Sequence, residues 1–307
     1  MSESFRKSLH AGTRYCAVLG HPIRHSASPA MHNAALAELG LDWRYLAFDV
    51  RPEELGAALQ GAKAMRFIGL NLTVPHKLLA LEMVDELDES ARTWGAVNTI
   101  RFEGRGPDGL WTPLSRWEQD LPAEIRSHGF NTDAAGLGRS LTEDLGLRLA
   151  GATVLLLGAG GAGRSAALKL ASEKVGQLFL VNRTEAKARE LAEEVQKRYP
   201  GVKVTVGYAD QQVDLLLNAT SHGLKPGDGL PFEEQKLSLT SCRAVYDMIY
   251  RPAETPLLRT ARAAGCQTAN GLGMLLHQGA EALEIWTGKP VPRQTMLAAL
   301  RKNIYEP

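Results

Sequence analysis

Long apolar runs are missing from this chain of 307 residues. Nothing in it approaches the roughly twenty consecutive apolar positions that a bilayer-spanning helix needs. The opening MSESFRKSLHAGTR has no apolar core behind its basic residues, which excludes a secretory signal and predicts a short mobile leader over residues 1–12. Cysteine is scarce. Cys16, Cys242 and Cys266 give neither the even count of a disulfide framework nor the paired spacing of a zinc site, so a reducing, cytoplasmic compartment and no metal are expected. A charge excess is absent too: 35 Lys and Arg against 34 Asp and Glu leave a formal net charge of +1. That excludes an electrostatic nucleic-acid binder, and any anion must be met locally. There is no internal repeat and no low-complexity tract. What remains is an ordinary globular composition, 44% hydrophobic and 22% charged. Its length fits two domains of about 150 residues each.

The most informative stretch present is VLLLGAGGAGRSA, Val154 to Ala166. Val154 to Leu157 runs apolar into glycine without helical spacing, as a strand buried on both faces of a parallel sheet does. Gly158, Gly160 and Gly163 then stand at GxGxxG spacing: one for a tight turn, one for close approach to a pyrophosphate, one for close helix packing. A helix is predicted from Gly161, aiming its unpaired N–H groups at phosphate. A second apolar run, Leu178 to Val181, follows at βαβ distance and ends in Asn182-Arg183-Thr184. An NAD-binding fold usually carries an acid there for the ribose hydroxyls. This chain offers Arg183, with Lys187 a turn further on, a cationic tip that suits the 2′-phosphate of NADP and is otherwise unfavourable at a helix start.

In the first half, Tyr15 to Leu19 reads as a strand delivering GHPIRHSASPAMHNAAL. Pro29 fits the first turn of a helix, with Ser28 as its N-cap. Ser26 and Ser28 beside a helix N-terminus also make a cradle for a carboxylate. His25 and His32 are expected to pack or orient. Tyr45 to Val50 reads as a strand, Pro52 to Ala64 as an amphipathic helix, and Phe67 to Val74 as a strand ending in Pro75-His76-Lys77. Asn71, Thr73 and Lys77 thus fall at a strand end, where α/β folds place their chemistry. Leu81 to Thr93 reads as helix, and GAVNT brings Asn98 to another strand edge. Residues 101–128 then read as an irregular, Gly- and Pro-rich insertion holding Trp111 and Trp117, an unusual length for a loop, either a cover over the site or surface elaboration. It closes on Asn131-Thr132-Asp133, where Asp133 is either the N-cap of a helix over Ala134 to Leu145 or a carboxylate partner for Lys77.

Taken together, GHPIRHSASPAMHN, NLTVPHK, GAVNT, NTD, GAGGAGR, NRT, NATSHG, YDMIYRPAETPLL and NGLGMLLHQGAEALEIWTG run in order from about Tyr15 to the C-terminus, and in them the chain resembles the shikimate dehydrogenase (shikimate/quinate dehydrogenase) family. The resemblance implies two α/β domains with the active site in the cleft between them. It places a discontinuous substrate domain over 13–134 and 274–307 and a Rossmann-type NADP domain over 135–273. It implies that Ser26 and Ser28 hold a substrate carboxylate, that Asn71, Thr73, Asn98, Tyr250 and Gln278 complete the pocket, and that Lys77 and Asp133 are the catalytic pair. For NADP it implies Gly158, Ala159, Gly160, Gly161, Ala162 and Gly163 under the pyrophosphate and Asn182, Arg183, Thr184 and Lys187 at the 2′-phosphate. Thr220, Met248 and Gly271 lie beside the cofactor.

The chain departs from that pattern in the 101–128 insertion, where the family has a short hairpin, and in Ala134, where it tends to have glycine. The activity implied is reversible reduction of 3-dehydroshikimate to shikimate, in aromatic amino acid and chorismate biosynthesis, by a cytoplasmic monomer or homodimer. Quinate or dual quinate/shikimate activity is the nearest competing reading. A non-catalytic NADP-binding paralogue and a glutamyl-tRNA reductase are more remote, since the first would not require Lys77 and Asp133 and the second has no thiol motif here.

Overall fold

The computed structural model describes residues 9–118, 122–225 and 227–306. The expectation for a leader therefore falls mostly outside the described residues. The chain divides into two compact units, one of residues 1–132 with 278–307 and one of residues 133–277.

The first unit carries β1 (Arg14–Gly20), α1 (Ser28–Glu38), β2 (Trp43–Asp49), α2 (Leu55–Ala64), β3 (Gly69–Leu72), α3 (His76–Leu79), β4 (Glu86–Leu87), α4 (Glu89–Trp94), β5 (Thr99–Arg105), β6 (Trp111–Pro113) and β7 (Ile125–Phe130). Its seven-stranded sheet has the order β2-β1-β3-β5-β7-β4, with β6 added on β5. The strands β1, β2 and β3 are parallel, so Gly20, Asp49 and Leu72 end at the same edge. Register puts Tyr45, Cys16 and Gly69 in one row and Ala47, Val18 and Asn71 in the next row of that face. The Trp286 ring packs on it, fully buried, with Nε1 donating to the Ile100 carbonyl at 2.9 Å. A Cβ at position 69 would collide with that indole, which fixes glycine there.

In the second unit, α5 (Asp133–Leu145) leads into β8 (Thr153–Leu157), α6 (Gly161–Ser172), β9 (Gln177–Val181), α7 (Glu185–Arg198), β10 (Lys203–Val206), β11 (Val213–Asn218), β12 (Cys242–Asp247), α8 (Pro256–Ala263) and β13 (Gln267–Asn270). All six strands are parallel in the order β10-β9-β8-β11-β12-β13, the doubly wound arrangement whose topological switch lies between β8 and β11. Val154 to Leu157 are at most 1% exposed, the two-sided burial that their unbroken apolar run requires. The helix α9 (Leu272–Thr287) carries the chain back across the division, and α10 (Arg293–Tyr305) closes it. No described helix is long and apolar enough to cross a membrane.

Two stretches fold differently from expectation. Residues 81–93 are not one helix: α3 gives way to a 3-10 turn at Ala80–Glu82, then β4, then α4. Polar side chains dictate the break. Asp88 caps α4 by accepting from the Ser90 N–H at 2.8 Å, and the Asp85 carboxylate takes the Ser127 N–H at 2.7 Å and hydroxyl at 2.8 Å. These bonds hold 85–88 extended beside β7.

The 101–128 insertion is not irregular either. Its two ends are an antiparallel ladder, β5 against β7 from Thr99↔Phe130 to Gly104↔Ile125, and β6 folds back on β5. Leu114 is fully buried, and Arg14 donates to the Leu114 carbonyl at 2.7 Å and the Trp117 carbonyl at 3.1 Å. Arg14 begins β1, so the insertion docks at the sheet edge opposite Gly20 and Leu72. Its described residues do not cover the strand ends that hold Ser26, Asn71 and Lys77.

The same ladder buries a charge. Glu103 is 2% exposed and accepts from Arg101 Nε at 2.9 Å and Arg126 Nε at 2.7 Å, with His128 Nδ1 at 3.2 Å. Burial alone raises a carboxyl pKa, but here the hydrogen bonds and cations outweigh it and hold Glu103 at about 2. A depressed folded-state pKa contributes stability that is present above the unfolded value near 4.5 and lost as pH falls through about 2. Glu103→Gln is therefore expected to lower unfolding free energy by about 3 kcal/mol at pH 7, the difference from wild type shrinking between about pH 4.5 and 2. Urea midpoints of both proteins across that range check it; a constant difference removes the charge from the account.

Candidate active site

In the second unit, the turn from β8 to α6 is built for an anion. Gly158 sits at φ +103°, a left-handed conformation open to glycine, and its N–H donates to the Val181 carbonyl at 2.8 Å. A Cβ on Gly163 would collide with the Gly158 carbonyl oxygen, so the third glycine is what lets α6 approach the strand. Positions 160 and 161 have open space where a Cβ would stand. Gly160 is the N-cap of α6, no side chain caps it, and its first turn holds no acid. The first N–H groups of α6 are thus left for a bound anion.

Asn182 at the tip of β9 ties this turn to the next: its Oδ1 accepts from the Ala159 N–H at 3.1 Å and its Nδ2 donates to the Thr184 carbonyl at 2.8 Å. Thr184 is the N-cap of α7, and Arg183 and Lys187 are exposed around it. A cavity of about 1020 Å³ is lined by Gly158, Gly160, Asn182, Arg183 and Thr220 among others.

The far wall rests on groups that sequence reasoning missed. Asn218 Oδ1 accepts from the Thr220 N–H at 3.0 Å and hydroxyl at 2.8 Å, and its Nδ2 donates to Asp247 Oδ1 at 3.0 Å. Asp247 is fully buried, takes the Thr255 hydroxyl at 2.6 Å and the Ile249 N–H at 3.1 Å, and has its pKa raised by burial. This network braces the loop of Thr220 and the strand end of Met248. Gly271 comes so close to the Met248 carbonyl oxygen that a Cβ would collide with it. Tyr250, partly exposed, follows in the segment after β12.

In the first unit, the residues at the carboxyl edge of β1 and β3 form one continuous hydrogen-bonded chain. Tyr45, 1% exposed, donates its phenol to Asn71 Oδ1 at 2.7 Å. Asn71 gives its amide protons to Thr99 Oγ1 at 3.0 Å and the Asn98 carbonyl at 3.2 Å. The Thr99 hydroxyl donates to Asn98 Oδ1 at 3.1 Å, which also accepts the Thr132 N–H at 2.8 Å. Asn98 Nδ2 reaches Thr132 Oγ1 at 2.9 Å and Gln278 Oε1 at 3.5 Å. With its protons committed, Asn71 has left the second lone pair of Oδ1, an acceptor for a hydroxyl.

Lys77, partly exposed, lies in α3, and its carbonyl takes the Val97 N–H at 2.8 Å, so the Lys77 and Asn98 loops are fastened together. Thr73 is held by its N–H to the Leu19 carbonyl at 3.0 Å. His32 is fully buried, has its pKa pushed down by burial to about 3, and packs its neutral ring at 4.1 Å on Tyr45. His25 is exposed.

Two capping assignments change. Ser28 is the first helical residue and Ala27 the N-cap, without a side-chain cap. Ser26 is the one that serves the backbone, its Oγ accepting from the Ser28 N–H at 3.3 Å while its own proton can still be donated. Asp133 likewise is the first residue of α5, in the second unit, rather than the residue before it.

Comparison with known proteins agrees with this architecture. The family model for the shikimate dehydrogenase substrate binding domain matches residues 18–100, that for shikimate/quinate 5-dehydrogenase residues 140–224, and that for the shikimate 5'-dehydrogenase C-terminal domain residues 271–301. A shikimate dehydrogenase (NADP+) of Methanopyrus kandleri is 39% identical over 305 residues, covering 97% of this chain and 98% of that one. One of Geobacter metallireducens is 41% identical over 303 residues, covering 94% and 98%. The crystal structure of shikimate 5-dehydrogenase from Thermus thermophilus, in complex with NADP(H) and shikimate, superposes with a TM-score of 0.78 at 37% identity, covering 94% of this chain and 99% of that one. With near-complete coverage at these identities, the chain belongs to the shikimate dehydrogenase family.

Proposed function

We propose that the chain is an NADP-dependent shikimate dehydrogenase that interconverts 3-dehydroshikimate and shikimate. The observation that carries the reading is the β8–α6 phosphate cradle followed, at the tip of the next strand, by Arg183 where NAD-binding folds place an acid. In its favour the first unit offers a hydroxyl-rich strand edge suited to a small polyhydroxy acid. Ser26 and Ser28 bind the carboxylate, and Asn71, Thr73, Asn98 and Gln278, with Tyr250, take the ring hydroxyls. Gly158 to Gly163 hold the pyrophosphate, Arg183 and Lys187 meet the 2′-phosphate, and Thr220, Met248 and Gly271 border the nicotinamide.

Reduction of an enone needs a hydride at the carbonyl carbon and a proton at its oxygen; bound NADPH supplies the hydride. Lys77 donates the proton, its ammonium stabilising the alkoxide as negative charge develops. Asp133 orients that ammonium and accepts from a substrate hydroxyl. In the oxidative direction Lys77 first gives up its own proton and then, as the amine, takes the alcohol proton.

The test is absorbance at the reduced-nicotinamide band with shikimate or quinate paired with NADP+ or NAD+. Turnover with shikimate and NADP+ is expected to dominate. Preference for quinate or NAD+ overturns the selectivity, and silence in all four pairings from folded protein overturns the activity.

A further inference from the structure

Resting on the pocket assignment above, we infer that Thr99, fully buried and closed to substrate, is the positioning residue that locks Asn71 and Asn98 in one orientation, its hydroxyl standing between the two amides. The sheet delivers it there. Thr99 opens β5, where the antiparallel register sets it opposite Asn71 on β3 and Phe130 on β7. Directly opposed residues of an antiparallel pair share a face, so the Thr99 and Asn71 side chains meet, Nδ2 donating to Oγ1 at 3.0 Å. Because threonine is branched at Cβ, its χ1 is stiff and the hydroxyl keeps its place.

Two main-chain groups fix the direction of the amides. The Asn98 carbonyl can only accept, so Asn71 turns Nδ2 toward it at 3.2 Å and keeps Oδ1 on the other side, where Tyr45 donates at 2.7 Å. The Thr132 N–H can only donate, so Asn98 turns Oδ1 toward it at 2.8 Å and sends Nδ2 to Thr132 Oγ1 at 2.9 Å. An amide nitrogen of one asparagine and the amide oxygen of the other therefore face a single point. Only a group that accepts and donates at once satisfies both. Thr99 accepts from Asn71 and spends its one proton on Asn98 Oδ1 at 3.1 Å. Valine has the same shape and neither capacity. It would leave an Asn71 amide proton buried without this partner and loosen the Oδ1 lone pair assigned to a substrate hydroxyl, while Asn98 keeps its bond to the Thr132 N–H.

Thr99→Val is therefore expected to raise KM for shikimate about tenfold, the scale of one buried hydrogen bond, with kcat within about threefold and KM for NADP+ unchanged. Thr99→Ser restores the hydroxyl and is expected to return KM to within about twofold of wild type. Asn71→Ala is measured alone and combined with Thr99→Val. Because Thr99 acts through Asn71, the double variant is expected to raise KM by clearly less than the product of the single effects. Thermal melting of each protein reports folding. A general loosening of the unit would depress kcat as KM rises, and would add to the effect of Asn71→Ala.

A raised KM for Asn71→Ala with a wild-type value for Thr99→Val overturns the role of Thr99 and leaves the pocket assignment standing. Strict multiplicativity in the double variant, or a serine variant as impaired as the valine one, does the same. Wild-type KM for Asn71→Ala overturns the pocket assignment itself and the inference with it. If Thr99→Val does not fold, Thr99→Cys, whose thiol hydrogen-bonds only weakly, is expected to raise shikimate KM selectively and above that of Thr99→Ser. A wild-type KM there overturns the role of Thr99.

Discussion

Lys77→Ala is expected to lower kcat for shikimate oxidation by about 100- to 10,000-fold, the usual loss when a positioned acid or base is removed. KM for shikimate should change little, because the proposed assignment gives the carboxylate and hydroxyl contacts to Ser26, Ser28, Asn71 and Asn98, on other segments of the first unit. The fold should survive as well. Lys77 is partly exposed, and what fastens its loop to the Asn98 loop is its main-chain carbonyl, which alanine keeps. Steady-state turnover with saturating NADP+, beside a melting curve, checks both halves. Retained wild-type kcat removes Lys77 from the chemistry; a loss of melting temperature parallel to the loss of rate makes its role structural.

The second large effect concerns the cofactor. Arg183→Ala is expected to weaken NADPH by about 1.5 to 3 kcal/mol, the scale of charge-assisted hydrogen bonds, or roughly 10- to 150-fold in Kd. NADH, without a 2′-phosphate, should bind the variant and the wild type almost equally. Arg183 is exposed at the rim of the cavity, so its removal leaves no buried hole and a difference between the two cofactors reports the phosphate. Fluorescence titration of both dinucleotides decides it. Equal losses for both move Arg183 away from the 2′ position, and no loss for either leaves the cationic tip without a function.

Local sequence was enough wherever backbone geometry and local chemistry coincide. The strand over Val154 to Leu157 and the helix start at Gly161 follow from an unbroken apolar run and from Gly158 and Gly163, whose places take no side chain without strain or collision, and both fall where the spacing put them. The stretch 81–93 misled because its apolar spacing suits one helix, while Asp88 spends its carboxylate on starting a new helix at Ser90 and Asp85 spends its own on Ser127 of β7. The insertion misled for a related reason: glycine and proline mark its turns, but the ladder between them is stated only by which residue of β5 meets which of β7.

In the candidate site, the positions of the proposed reacting and charged groups after strand ends were legible because such residue types are few and α/β folds place their chemistry there. The supporting groups were not. Tyr45 meets Asn71 26 residues away, and Asn218 meets Asp247 29 residues away, through sheet register that no local pattern encodes.

One consequence concerns redesign of cofactor choice. Asn182 stands in the same short motif as Arg183, yet its two polar atoms are spent on the Ala159 N–H and the Thr184 carbonyl, so it joins the phosphate turn to the start of α7. An attempt to convert the chain to NAD by importing a whole acidic tip would cut that tie and slacken pyrophosphate binding for every dinucleotide at once. On the proposed assignment the part of the motif that discriminates is Arg183 with Lys187; the part that must be inherited unchanged is the asparagine before them.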